Sequence, residues 1–317
     1  MVRSMLDLIG QTPVIRVPVS KLGVHGKGTF FLKLEGFNPS GSIKARAAKR
    51  MIMAAWENGC VTANSTIVES SSGNLGVAIA MVGAAMSLKT YIVVDPRVIS
   101  DNLMAMKAYG ATVEMISEKD EMGTYQRTRY RRAVQLQSLL PDSYWCNQYD
   151  NMANVESHYE TAYELDKQCG PLDYIVVAVS SAGHIMGIAR WFKEHAPRTK
   201  IIAVEGFHSE IFGPSVGPQR IRGLSLSWRP TNVDISFIDQ AYKVSDWAAV
   251  SMCQVLASQG ILIGGSSGAA MAIAHLLATQ DADQSIAVIC ADRGEKYIQL
   301  FKDEKFPEPI PTIKRVL

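Results

Sequence analysis

FNPSGSIKARAAKR, residues 37–50, opens as a loop and closes as a helix. Asn38, Pro39, Ser40, Gly41 and Ser42 are turn formers or small residues, whereas Ala45, Ala47, Ala48 and the bases around them favour helix. Lys44 stands at the junction. A lysine there is either an ordinary solvated base or the group that the loop is built to present.

Outward from this stretch, apolar runs rich in β-branched residues recur at 30–34, 66–68, 90–94, 112–116, 174–179, 200–204 and 285–289. Helical spacing fills 42–57, 74–87, 100–109, 123–139, 153–169, 183–195, 246–259 and 267–279. Strands that are apolar on both faces and alternate with helices predict an α/β fold with parallel sheets. Gly110 and Gly260 fall just past helical segments, where a left-handed cap is expected. Strand runs before about 150 and after about 170 predict two sheets, hence two α/β lobes. The zone 205–235 is rich in glycine and proline yet carries Ile211, Phe212, Leu224, Leu226 and Trp228. It reads as a packed irregular segment beside a cleft.

The bulk composition narrows the class. The chain has 317 residues, 47% hydrophobic and 20% charged, with a net charge of +2. That is globular composition, with no field that would favour nucleic acid or a membrane surface. No run approaches the roughly 18 apolar residues of a membrane span, and the first residues do not read as a signal peptide. Five cysteines in no CxxC pair read as reduced and mostly buried, which suits the cytoplasm. Six scattered histidines without HExxH give no expectation of a metal site.

Four loops share one design, in which glycine and serine precede a helix. They are Pro39–Ser42 ahead of Lys44, Glu69–Gly76, Ser180–His184 and Gly264–Gly268. Each places unpaired N–H groups and hydroxyls at a helix N-terminus, which favours anions. For one loop alone, serine as an N-cap and glycine as a turn residue explain the pattern. Four in one chain need more, and none is a GxGxxG or GxxxxGK[ST] nucleotide motif. Pyridoxal phosphate with an amino-acid substrate matches the inventory: a phosphate, an aldehyde for a lysine, a ring nitrogen and a substrate carboxylate.

The ordered motifs IGQTP, KLEGFNPSGSIKARAA, ESSSGNLGVAIA, AYGATVEMI, SSAGHIMGI, GILIGGSSGAA and DRGEKY cover nearly the whole chain. Together they resemble the cysteine synthase / cystathionine β-synthase family of fold-type II pyridoxal phosphate enzymes. The resemblance implies two α/β/α lobes with mostly parallel sheets and the cofactor in the cleft between them. The larger lobe would be 1–36 plus 152–317, and 37–151 the smaller, mobile one. It implies that Lys44 carries the cofactor as a Schiff base and Asn74 bonds its ring hydroxyl. Ser71, Ser72, Gly73 and Leu75 would hold the substrate carboxylate. Ser180, Ser181, Ala182, Gly183 and His184 would cradle the cofactor phosphate, and Ser266 would face the pyridine nitrogen. A hydroxyl there is a neutral partner, which suits elimination better than transamination. The chain departs from the family at Lys44-Ala45-Arg46, where members have Lys-Asp-Arg, and at the phosphate loop, usually rich in glycine and threonine. A homodimer is also implied.

VVDPRVISDNLMAMKAYGATVEM, YWCNQYDN and VSSAGHIMGIAR resemble, more narrowly, the subgroup that makes N-(2-amino-2-carboxyethyl)-L-glutamate for 2,3-diaminopropionate and siderophore biosynthesis. That implies O-phospho-L-serine and L-glutamate as substrates, with Arg129, Tyr149 and Ser180 at the phosphoserine. A phosphate dianion is best held by a fork of N–H donors, and Arg127, Arg129, Arg131 and Arg132 supply candidates unless they form a solvated helix face. Arg222 is the candidate for the glutamate side chain. The alternatives are a cysteine synthase using O-phosphoserine or O-acetylserine with sulfide, and a non-catalytic amino-acid sensor on the same fold.

Overall fold

Each apolar run becomes a strand, and the carboxyl ends of the parallel strands converge on one cleft. The computed structural model describes residues 2–121, 123–217, 220–301 and 313–317. The strands are β1 (Val14–Pro18), β2 (Thr29–Leu34), β3 (Thr66–Ser70), β4 (Lys89–Val94), β5 (Thr112–Met115) and β6 (Ser143–Trp145), then β7 (Tyr174–Ala178), β8 (Lys200–Gly206), β9 (Gln240–Val244), β10 (Ser285–Cys290) and β11 (Ile313–Arg315). The helices are α1 (Lys44–Glu57), α2 (Asn74–Ala85), α3 (Ser100–Ala108), α4 (Gln126–Leu139), α5 (Met152–Glu156), α6 (Tyr159–Cys169), α7 (Gly183–His195), α8 (Asp246–Ala257) and α9 (Gly265–Gln280).

Two sheets form, as the alternation of strand and helix predicts. A four-stranded parallel sheet has the order β5-β4-β3-β6. A seven-stranded sheet has the order β1-β2-β10-β7-β8-β9-β11 and is parallel except at its two edge strands. Side-chain alternation fills both faces of each. In the small sheet Ile67 and Ile92 pack towards α1 and α2, while Val68 and Val93 pack on Ala133 and Leu136 of α4. In the large sheet Val176, Ile202 and Val288 face α8 and α9. Their neighbours Ile175, Val177 and Ala287 face α7. Gly110 and Gly260 take φ of +84° and +80°, the left-handed caps the sequence predicts.

The single helix expected over 153–169 is two, α5 and α6, parted at Ser157 and His158. The Ser157 hydroxyl donates to the Asn154 carbonyl at 2.7 Å. The His158 ring turns inward and packs edge-on against His184, with centroids 5.8 Å apart. The segment 205–217 and 220–235 is packed, with Ile211, Phe212, Leu224 and Leu226 buried. All five cysteines are free; Cys146, Cys253 and Cys290 are buried, Cys169 is half-buried and Cys60 is exposed.

A buried charge cluster fixes the start of α1. Arg46 grips Glu35 through Nε and Nη2 at 2.8 and 2.9 Å, and Glu164 through both Nη atoms at 2.7 Å. Lys33 reaches the same Glu164 at 2.6 Å. Removing one partner of so buried a set would cost about 3–5 kcal/mol. The cluster therefore makes the position of Lys44, two residues before Arg46, a stiff one.

Candidate active site

In open parallel sheets ligands bind beyond the carboxyl ends of the strands. Here a cavity of about 450 Å³ lies there, between the two sheets. Lys44, at the first position of α1, lines it. Its ammonium has no hydrogen-bond or ion-pair partner among the described residues. Burial pulls its pKa from 10.5 down to about 8, against the field of Asp292. An amine so placed is a usable base or nucleophile near neutral pH.

The loop after β3 brings Ser71, Ser72, Gly73, Asn74 and Leu75 to the cavity wall. Ser72 donates its hydroxyl to Asp95 at 2.9 Å and accepts the Asp95 N–H at 2.8 Å. Asp95 follows β4 and sits 3.0 Å from Arg129 Nε. Arg129 is buried and has no further partner among the described residues, so its terminal nitrogens remain for a ligand. Of the four candidate arginines only Arg129 lines the cavity. Arg131 pairs with Glu121 and Arg132 with Glu114 on the outer face of α4, and Arg127 donates to the Ser227 carbonyl. Tyr149 also lines the cavity; burial pushes its phenol up to about 12, so it stays a neutral donor.

From the large sheet come Ser180 and His184, after β7, and Ser266, at the second position of α9. Ser181, Ala182 and Gly183 lie buried behind this wall and line it with no side chain. Ala182 adopts φ +65°, ψ −6° as the residue preceding α7. A left-handed alanine is uncommon, and such residues cluster at ligand clamps. No hydrogen bond from the N–H of Ser180, Ser181 or Ala182 is made among the described residues, so a row of free donors opens at a helix N-terminus. His184 Nε2 lies 2.6 Å from the Ala178 carbonyl. A carbonyl only accepts, so Nε2 carries the proton and the imidazole is a neutral ring with Nδ1 bare. Burial and Lys44 hold its pKa down at about 3. The side chain therefore cannot donate from Nδ1 to an anion, and His184 offers a phosphate only its backbone N–H.

Asp95, Asp292 and Tyr297 lie in the site without a role in the sequence reading, as do Arg97 and Arg220. Asp95 was readable as the residue just past a parallel strand. Asp292 and Tyr297 stand in DRGEKY, a motif whose order is informative but whose residues gave no chemistry by themselves. Beneath the wall, Glu69 is fully buried and desolvation pushes its carboxyl up to about 7. It accepts from the N–H of Ser70 at 2.6 Å and of Gln148 at 3.3 Å, tying two cavity-lining segments together. Among the described residues no cluster of histidine, cysteine and carboxylate could hold a metal ion, and no helix is long and apolar enough to cross a membrane.

The unpaired Lys44 amine, the free N–H row before α7 and the Ser266 hydroxyl are the donor set that an aldehyde, a phosphate and a ring nitrogen require. Comparison with known proteins agrees. The pyridoxal-phosphate dependent enzyme family matches residues 5–292. The O-acetylserine-dependent cystathionine β-synthase of Helicobacter pylori is 31% identical, with TM-score 0.86 over 94% of this chain and 98% of that one. An O-ureido-L-serine synthase is 27% identical, with TM-score 0.86 over 98% and 97% of the two chains. The cysteine synthase of Entamoeba histolytica is 27% identical, with TM-score 0.87 over 97% and 93%. The chain belongs to the pyridoxal-phosphate dependent enzymes, in the branch of cysteine synthases and cystathionine β-synthases, and is a pyridoxal phosphate enzyme of the β-replacement type.

Proposed function

We propose that the reaction replaces the phosphate of O-phospho-L-serine with the amine of L-glutamate, giving N-(2-amino-2-carboxyethyl)-L-glutamate and phosphate for 2,3-diaminopropionate biosynthesis. The observation that carries this reading is the cation excess on one side of the cavity. Arg97, Arg129 and Arg222 line it around a single lining carboxylate of that side, Asp95, while Arg220 sits beside Asp246. Phosphoserine brings a charge near −2 at neutral pH, and glutamate brings two further carboxylates. An acetate ester and sulfide would call for no such excess.

In this reading the N-terminus of α2, with Ser71, Ser72, Gly73 and Leu75, receives the substrate carboxylate. Arg129, Tyr149 and Ser180 hold the departing phosphate, which leaves as an anion matched by the guanidinium. Arg222 takes the side-chain carboxylate of glutamate. The backbone N–H groups of Ser180, Ser181, Ala182, Gly183 and His184 hold the cofactor phosphate, Asn74 its ring oxygen and Ser266 its ring nitrogen. Pyridoxal phosphate supplies the electron sink that makes the Cα proton of the substrate removable. Lys44 takes that proton, holds it and returns it to Cα after the amine has added at Cβ. Its pKa of about 8 leaves enough neutral amine near pH 7 to act as the base.

The same proposal divides the chain into lobes 1–36 plus 152–317 and 37–151, with the smaller lobe closing over substrate. Hydrogen bonds across the cleft already join them: Gln126 exchanges bonds with the Ser225 carbonyl and the Ser227 N–H at 3.2 and 3.1 Å. A homodimer working in the cytoplasm completes the reading. Family membership as an enzyme sets the sensor alternative aside. The test is mass spectrometry of products from O-phosphoserine or O-acetylserine with a panel of amines and sulfide. The phosphoserine–glutamate adduct should dominate; cysteine from O-acetylserine and sulfide as the main product would overturn the reading.

A further inference from the structure

Asp292 is the point at which three of the four glycine–serine loops meet. Its backbone forms a β-bridge with Ser42, just ahead of Lys44, and its carbonyl accepts the Gly264 N–H at 3.1 Å. Its side chain is buried and its Oδ2 accepts from Asn74 Nδ2 at 2.8 Å, Tyr297 at 2.8 Å and Lys296 at 3.2 Å. Lys296 also donates to Asn74 Oδ1. A carboxylate only accepts and an ammonium only donates. The Asn74 amide is therefore gripped at both ends, and the chemistry of its partners forbids it to turn over.

An amide nitrogen carries two protons. One is committed to Asp292, and the second is shared at most with the phenol oxygen of Tyr297, which itself donates to Asp292. Were the amide reversed, the side turned to the cavity would be an oxygen, which repels rather than holds an anionic ring oxygen. We propose that Asp292 and Lys296 are positioning residues for the cofactor, locking the Asn74 amide so that its remaining N–H, and never its carbonyl, faces the cofactor's ring oxygen. This rests on the assignment of Asn74 to the cofactor ring. Asp292 acts through Asn74, to which its Oδ2 is bonded. The Oδ1 atom of Asp292 is buried without a partner and lies against Gly264, where an added Cβ would come within 2.0 Å of it. The carboxylate has no room to swing away, which is what a fixed reference point needs.

The consequence is spectroscopic. A donor facing the ring oxygen favours its anionic form and so sets the balance between the absorbance bands of bound pyridoxal phosphate. Asp292→Asn keeps the shape but presents an amide that can itself donate, freeing Asn74 to turn. Lys296→Met removes the other grip at a half-buried position and tolerates failure of the first variant to fold. Both should redistribute the absorbance of the holoenzyme and weaken cofactor affinity, measured by titrating the apoprotein with pyridoxal phosphate, about tenfold. In an Asn74→Ala background each should add less than about twofold, because the amide they act on is gone. Equal shifts in both backgrounds would show a general structural role and overturn the proposal. So would a spectrum and affinity unchanged by both variants while Asn74→Ala alters them. An Asn74→Ala protein with the parent spectrum and affinity would remove the assignment of Asn74 itself, and this proposal with it.

Discussion

The two walls of the cavity do opposite things with charge. The wall built on the large sheet, with Ser180–His184, Ser266 and Asp292 and with Lys44 presented beside it from the start of α1, holds its charged side chains in place. Its one acid is shared among Asn74, Tyr297 and Lys296, its histidine is held neutral, and its free donors are backbone N–H groups and the Ser266 hydroxyl. The wall built on the small sheet and the 220–225 segment turns side-chain cations into the space, with Asp95 as their counter-charge. Backbone donors at a helix start suit any phosphate and hold a resident group. Side-chain cations are changed by single substitutions and choose among substrates. The relatives named above share the fold at about 30% identity and below.

Substitution on either wall should separate these roles. Lys44→Ala is expected to abolish turnover of every substrate pair alike, by on the order of a thousandfold or more, with the far-ultraviolet spectrum of the fold retained. Loss confined to one leaving group would contradict the division. On the other wall, Arg222→Ala should raise the KM for glutamate about tenfold while leaving kcat with saturating glutamate near its parent value. A fall in kcat with KM unchanged would move Arg222 out of the nucleophile's path.

Smaller effects come from pH. Uptake of pyridoxal phosphate by the apoprotein needs the neutral Lys44 amine, so its rate should rise through a midpoint near pH 8. A midpoint near the ordinary 10.5 would place the amine in water. Glu69 gives the converse test on the small-sheet side. Its folded pKa of about 7 lies above the unfolded value of 4.5, so the folded state holds the proton more tightly. Stability from this group is full below about pH 4.5 and is lost as pH rises through about 7. Glu69→Gln should flatten the urea-unfolding stability across that window; an unaltered slope would show that Glu69 is ionised in the fold.

Much of this was legible in the chain, for identifiable reasons. Strands buried on both faces, such as 174–179 and 285–289, announce themselves by unbroken apolar runs. The four loops share a composition, and Lys44 sits where one becomes a helix. Strand β9 was not read because QAYKV carries Lys243, which looks solvated but is wholly buried against Glu205 at 2.6 Å. Strands β6 and β11 have only three residues, β1 is an edge strand interrupted by Arg16, and the break between α5 and α6 depends on a histidine whose partner lies on another helix. Asp292 was hidden for the same reason: its value lies in contacts with residues 218 and 250 positions away in the chain, through Asn74 and Ser42. Residue type alone left Arg129 level with Arg127, Arg131 and Arg132; the resemblance singled it out, and the fold turns it into the cavity.

The central claim, that the small-sheet wall selects a phosphate leaving group, is tested most directly by one ratio. It is kcat/KM for O-phospho-L-serine over that for O-acetyl-L-serine, each with glutamate, in the parent enzyme and in Arg129→Ala. The parent should favour phosphoserine, and Arg129→Ala should lower the ratio about a hundredfold by losing phosphoserine alone. A ratio that stays the same, with both substrates weakened together, would contradict the account.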